Sequence, residues 1–498
     1  MCNQSLPQSL KGVHIHFVGI KGTGMAALVE IFVHNGAVVT GSDVSERFYT
    51  DEILEKLGIN AMKFSSENIT DKVQYVVYSS AYKLDKNPDL IQAVKKGVPC
   101  LLYTEALGQY SERAYSCGIC GVHGKTSTTG LTGTILKELD LPVQVLAGSV
   151  INSFGNTCTY TSSNLSKDSR NIFVAETCEY QRHFMSFAPQ KIILTSVESD
   201  HQDYYPTYND IRDAFVDYIC KLPQKGQLIY CADDEGAVET ASIAAKKRPD
   251  IELIPYGENA SGDYHLVFGK VQNEKNCFSL DIFNGLELFL KVPGMHEVRD
   301  AVAAVALSCE LLRTNNKNPL EYVENIQKGL ESFSGGKRRS EIVGKGTTKS
   351  GNSVVVIDDY GHHPTAVKTT LAGYREFYKG RKIIVDFMSH TYSRTQALLS
   401  EFASSFTSAD TVILHKIYSS ARENPKDFSI TGKTLFDETS KYNSHVAYFE
   451  EILDAKDYVL TELDKELDSI KYPDGYLFVT MGAGDNWKLG KAVLENLK

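Results

Sequence analysis

This 498-residue chain has no apolar run long enough to cross a bilayer. Its longest such stretch, residues 301–307, falls far short of the ~20 residues that a spanning helix needs. The first eleven residues are polar and lack the apolar core of a secretory leader, so a cytoplasmic location is expected. The ten cysteines fall at irregular spacings, which speaks for reduced thiols and against a disulfide framework. There is no strong basic block, and 52 Lys+Arg against 62 Asp+Glu leave a net charge of −10, so a dedicated nucleic-acid surface is not expected. Internal repeats and low-complexity linkers are also missing. The chain is 42% hydrophobic, 23% charged and 10% aromatic, an ordinary globular balance, and its length suggests about three domains.

Short extended apolar runs alternate with helical spacing, the pattern of α/β layers built on parallel sheets. Strands are expected over 13–20, 37–40, 75–79, 99–103, from about 114, and over 172–175, 192–197, 353–357, 383–387, 411–415 and 476–480. A long helix is expected over 296–312. Breaks near 112 and 331 divide the chain into three α/β blocks, 1–112, 113–330 and 331–498.

The first glycine turn, Gly19-Ile20-Lys21-Gly22-Thr23-Gly24-Met25-Ala26-Ala27, stands between a strand and a helix. Gly22, Gly24 and Ala27 fit the G-x-G-x-x-G/A fingerprint, in which backbone amides at a helix N-terminus approach a diphosphate. Asp43, closing the second strand, stands where an acid would meet a ribose hydroxyl. The turn announces a nucleotide diphosphate without saying which; a nicotinamide dinucleotide fits it equally well.

The second turn, Gly121-Val122-His123-Gly124-Lys125-Thr126-Ser127, is more specific. Backbone amides and the Lys125 ammonium suit β- and γ-phosphates, and the Thr126 hydroxyl suits Mg²⁺. The spacing is the short G-x-x-G-K-T form. Candidate companions close later strands: Glu176 after 172–175, and Glu198, Asp200 and His201 after 192–197.

In the third block, Asp358-Asp359-Tyr360-Gly361-His362-His363-Pro364 and His390-Thr391-Tyr392-Ser393-Arg394 follow strands, and Lys337-Arg338-Arg339 stands at the entrance. Basic side chains at several strand ends suit an anionic substrate. The His-His pair lacks a third ligand at metal-site spacing. Cys117-x-x-Cys120, in the strand entering the phosphate turn, reads as core. The lone Trp487 reads as the anchor of the glycine turn before it.

Taken together and in order, residues 19–27, 121–129, Glu176, Asp200-His201, 358–364, 390–394 and 481–487 resemble the Mur ligases, essentially end to end. The resemblance implies a Rossmann-like UDP-binding domain, a central P-loop-type ATPase domain and a Rossmann-like C-terminal domain. It implies ATP-dependent joining of L-alanine to the lactyl carboxylate of UDP-N-acetylmuramate, in peptidoglycan precursor synthesis, with one or two Mg²⁺ and a monomer or homodimer as the working unit. A sister reaction that attaches a preformed peptide to the same sugar nucleotide is the alternative. By resemblance Gly19, Gly22, Thr23, Gly24, Asp43 and Ser80 hold the sugar nucleotide. Residues 121–127, with Glu297, Asp300, Arg339 and Asp359, hold ATP. Thr126, Glu176 and His201 hold metal, Lys125 neutralises the transferring phosphoryl group, and His363, His390 and Arg394 serve the acyl and amino-acid end.

Three departures from the family pattern stand out. His296-Glu297-x-x-Asp300 replaces the usual His-Asn-x-x-Asn beside the adenine. An amide both donates and accepts, whereas a carboxylate only accepts, so adenine binding is expected to be rearranged or weakened. Ser196 stands where Asn is frequent. No Lys occurs between His201 and Cys220, so the carbamoylated lysine of some sister ligases is not expected.

Overall fold

The computed structural model describes residues 5–166, 170–272, 274–419 and 423–498; Met1–Gln4, at the start of the polar N-terminal stretch, lie outside them. The first sheet has four parallel strands in the order Val38–Ser42, His14–Val18, Tyr75–Tyr78, Cys100–Leu102. A strand buried on both faces carries a continuous apolar run, and Ile15, Phe17 and Val18 are fully buried.

The second sheet has seven strands in the order Glu252–Tyr256, Gln227–Cys231, Lys191–Leu194, Tyr115–Cys120, Ile172–Glu176, Val143–Ile151, Thr157–Thr161, parallel except for the last pair. Tyr115–Cys120 is its axis, with strands added on both sides, and the phosphate turn leaves from its carboxyl end. That is the switch point at which open α/β sheets bind ligands. Cys117 and Cys120 are both fully buried in this strand, and burial pushes the Cys117 thiol up to about 12 and that of Cys120 higher still. Both therefore stay protonated as core residues.

The strand expected over 192–197 is Lys191–Leu194, and the sequence reading overshot for a definite reason. Residues 195–197 leave the ladder to brace the phosphate turn: Val122 N donates to Ser196 O (3.0 Å) and His123 N to Ser196 Oγ (2.9 Å). A three-stranded antiparallel sheet, Leu266–Phe268, Asn276–Leu280 and Glu287–Leu290, flanks this domain. The long helix runs Met295–Thr314 and packs on Lys125–Glu138, the helix opened by the phosphate turn.

The third sheet has six strands in the order Glu341–Thr347, Ser353–Asp359, Gly475–Met481, Arg381–Phe387, Thr411–Leu414, Val446–Tyr448, only the first antiparallel. It carries an apolar cluster on each face, whereas the first two sheets share one continuous core. Trp487 does not anchor the neighbouring turn: it is 41% exposed. Asn486 does so, its amide donating to Met481 O (2.7 Å) and to Asp386 Oδ2 (3.1 Å).

Candidate active site

A cavity of about 940 Å³ opens where the carboxyl ends of the second and third sheets face each other. Its lining includes residues 122–127, Glu176, Glu198, Asp200, His201, Glu297, Asp300, Arg339, Asp359, His363, His390 and Arg394. Nearly every residue singled out in the last two blocks thus converges on one space.

The phosphate turn owes its shape to two glycines. Gly121 has φ +136°, and a Cβ there would stand 2.0 Å from Thr195 Oγ1; Gly124 has φ +76°, and a Cβ there would stand 2.3 Å from Asp300 Oδ1. Only glycine fits such backbone and such approach. Lys125 opens the following helix, and its ammonium lies 2.9 Å from Glu179 Oε2. Burial alone would lower the Lys125 pKa, but the Glu179 carboxylate, together with Cys178 and Glu176 nearby, more than offsets it and the net shift is upward. Burial would raise Glu179, yet Lys125 and His201 hold it below its ordinary value. Glu179 is the residue that sequence reasoning missed. Its only signal is a place three residues beyond Glu176, after the same strand.

Thr126 Oγ1 donates to Glu176 Oε2 (2.9 Å), which also accepts from Gly148 N (2.7 Å). A hydroxyl and a carboxylate side by side at the phosphate turn are hard oxygen donors and fit Mg²⁺. His201 faces elsewhere: its Nε2 lies 3.4 Å from Glu179 Oε1 and 3.8 Å from Asp200 Oδ2, on a backbone at φ +52°. A non-glycine residue held there is the local strain often found at functional sites.

The C-terminal domain reaches into the same space. Arg394 Nη2 donates to Asp200 Oδ1 at 2.8 Å, with both side chains 7% exposed. Burial would raise the Asp200 pKa, but the guanidinium holds it well below the usual carboxylate range. Arg394 lies in the helix Tyr392–Ala397, capped by Thr391 at φ +70°, a genuine outlier for a β-branched residue. Asp359 accepts from Ser340 N (2.8 Å) and Gly361 N (2.7 Å), fixing the entrance to the domain. Of the Lys-Arg-Arg run, Arg338 pairs with Asp358 (2.8 Å) and Arg339 lies over the Tyr360 ring at the cavity wall. His390 is at the rim, its ring 5.7 Å from that of Tyr418. The His-His pair does not act as a unit: His362 stays apart from the cluster that His363 joins. His363 meets His123 and Glu198 from the other domain, a set that spacing along the chain could not reveal.

Beside the phosphate turn, Ser127 Oγ donates to Glu297 Oε1 (3.0 Å), while Glu297 Oε2 has no partner. Burial pushes the Glu297 carboxyl up to about 7, and burial together with Glu297 raises Asp300 well above its usual range.

Gly19, Gly22, Thr23 and Gly24 link the strand His14–Val18 to the helix Thr23–His34, apart from the lining of the cavity. Asp43 turns back onto this loop, accepting from Lys21 N (2.7 Å), Val44 N (2.8 Å) and Tyr82 Oη (3.2 Å). It shapes the turn. Ser80 is exposed in the loop after Tyr75–Tyr78.

Three family models match in order along the chain. They are the Mur ligase family catalytic domain over residues 14–115, the Mur ligase middle domain over 119–308, and the Mur ligase glutamate ligase domain over 338–483. A UDP-N-acetylmuramate–L-alanine ligase of Treponema pallidum is 45% identical over 99% of this chain and 98% of its own. One of Borreliella burgdorferi is 37% identical over 96% and 97%. Among solved structures, the UDP-N-acetylmuramate–alanine ligase of Thermotoga maritima superposes with a TM-score of 0.73 at 23% identity, covering 97% of this chain and 98% of that one. The phosphate turn, the cavity between two sheets and these full-length likenesses agree: the chain belongs to the Mur ligase family.

Proposed function

We infer that this protein is an ATP-dependent ligase joining L-alanine to the lactyl carboxylate of UDP-N-acetylmuramate, with release of ADP and phosphate. The observation that carries this reading is the 45% identity, over nearly the whole of both chains, to an alanine-adding ligase. The first glycine turn then serves the UDP diphosphate, which removes the nicotinamide reading.

A carboxylate is a poor acyl donor, so the γ-phosphoryl group of ATP is first transferred to it, giving an acyl phosphate. The amine of L-alanine then attacks the acyl carbon, and the tetrahedral intermediate collapses to the amide and phosphate. Lys125 stabilises charge on the transferring phosphoryl group, exchanging its Glu179 partner for phosphate oxygens as ATP arrives. Backbone amides of residues 121–127 cradle the other phosphates. Thr126 and Glu176 would hold one Mg²⁺ and His201 would help to hold a second; when bound, the metal supplies positive charge to the phosphate oxygens. Arg339 serves the ATP phosphates and Asp359 the ribose, while Glu297 and Asp300 stand at the base. His363, His390 and Arg394 orient the acyl and amino-acid end. Gly19, Gly22, Thr23, Gly24 and Ser80 receive the sugar nucleotide, with Asp43 bracing their turn. The three domains span 1–112, 113–330 and 331–498. A cytoplasmic enzyme working as a monomer or homodimer completes the reading.

ADP formation from ATP, Mg²⁺ and UDP-N-acetylmuramate, with L-alanine or a preformed tripeptide added in turn, tests the reading. Turnover with L-alanine is expected. Turnover with the peptide alone would assign the sister reaction instead.

A further inference from the structure

We propose that His123, Glu198 and His363 form a second kind of metal centre, which binds a divalent transition cation of the Zn²⁺ class and ties the phosphate turn to the C-terminal domain. One ring nitrogen of each histidine and one carboxylate oxygen of Glu198 all lie within 4.8 Å of one another. His123 Nε2 contacts Glu198 Oε1 directly, and His363 Nδ1 lies 3.4 Å from the same oxygen.

An independent observation shows that this cluster is unfinished. His363 is only 5% exposed, yet neither of its ring nitrogens has a hydrogen-bond partner. A buried imidazole that makes no hydrogen bond at either nitrogen, with only the 3.4 Å approach of Nδ1 to Glu198, points to a missing ligand. The Thr365 hydroxyl donates to Glu198 Oε2 (3.1 Å), leaving Oε1 turned to the histidines, as outer partners orient metal-binding carboxylates.

Two imidazoles and one carboxylate are borderline donors that suit Zn²⁺, Co²⁺ or Fe²⁺, with a further coordination position left open. The hydroxyl–carboxylate pair of Thr126 and Glu176 suits Mg²⁺ instead. The two centres therefore differ in ligands and in metal preference. His123 belongs to the phosphate turn and Glu198 follows the strand Lys191–Leu194, whereas His363 caps the helix Pro364–Phe377 of the other domain. A cation held by all three draws the C-terminal domain onto the ATP-binding surface.

The test uses the full chain without a histidine tag, stripped with chelator and titrated with Co²⁺, whose ligand-field absorption reports imidazole and carboxylate ligation. One Co²⁺ per chain is expected, displaced by Zn²⁺ and retained in a large excess of Mg²⁺. His123→Gln, Glu198→Gln and His363→Gln should each weaken binding by at least about tenfold, whereas Glu176→Gln should leave it unchanged. The three variants are separate, so a folding defect in one, seen by circular dichroism, leaves two informative. Unaltered Co²⁺ binding in the folded variants would overturn the proposal, as would its loss in Glu176→Gln, which would place the ion at the Mg²⁺ centre. Co²⁺ should also reduce the radius of gyration of the wild type in solution scattering but not that of His363→Gln; an unchanged wild-type radius refutes the link between domains.

Discussion

Glu297 gives the sharpest quantitative prediction, because it places a carboxyl group where burial opposes its charge. Its pKa rises from 4.5 to about 7, and Glu297 in turn helps to raise Asp300. Between pH 4.5 and about 7 the folded protein binds more protons than the unfolded chain at this position, so stability falls as pH rises through that window. The full penalty is present above it. At about 1.4 kcal/mol per unit, ionised Glu297 costs about 3 kcal/mol at pH 8. Glu297→Gln keeps an oxygen to accept from Ser127 and removes the charge, so it should recover most of that cost and ease Asp300 as well. Urea unfolding at pH 5 to 8 without nucleotide measures it: the variant should gain stability over wild type progressively with pH. Parallel pH profiles for the two proteins would refute the reasoning. The same charge bears on ATP. A protonated Glu297 can donate to the base as an amide does, and an ionised one cannot. ATP affinity should therefore weaken with rising pH in wild type, and Glu297→Asn should bind more tightly at pH 8. Equal affinity would show that the carboxyl does not disturb adenine recognition.

Lys125→Met should lower turnover about 10²- to 10³-fold and, by stranding buried Glu179, destabilise the fold by about 3–5 kcal/mol. Adding Glu179→Gln should restore stability in urea but not ADP release, and failure of that rescue would break the assigned pair. Gly124→Ala forces a Cβ to 2.3 Å from Asp300 Oδ1 at φ +76° and should abolish ATP binding by calorimetry; retained affinity would contradict the role of the turn. Asp200→Asn leaves Arg394 without its charge partner across the domain boundary, so scattering with an ATP analogue and sugar nucleotide should show a less compact particle than wild type, and identical dimensions would refute this.

What the sequence made legible were local arrangements. A glycine turn between an apolar strand and a helix can be read because its parts adjoin, and both turns stand where they were expected. Glu176, Asp200 and His201 were readable as polar residues just beyond apolar strands. Short or irregular strands left no such mark: Leu266–Phe268 has three residues, too few for any periodicity, and residues 143–161 form a hairpin interrupted by a register shift. Trp487 misled because size suggested burial, while a small buried amide, Asn486, makes the turn's hydrogen bonds. Glu179 and the partners of His363 were invisible for one reason. Their chemistry depends on side chains brought together from distant segments, and no spacing rule reaches that far.

Several side-chain contacts between the last two domains have a physical character that suits a catalytic cycle. Arg394 with Asp200, Thr365 with Glu198, and His363 with His123 and Glu198 all join polar groups across the boundary, near the glycine turn at residues 121–127. An apolar interface of the same extent would favour closure permanently. A buried ion pair behaves differently, because removing both charges from water offsets much of their attraction. Where such pairs contribute to closure they leave it nearer to balance, and ligands that add charge at the cavity can tip it. On the proposed reading, ATP arriving at Lys125 would displace Glu179, and the change of charge would reach His201 and Asp200, which face that carboxylate and Arg394 respectively. The groups proposed to handle the phosphates would thereby report their arrival to the C-terminal domain.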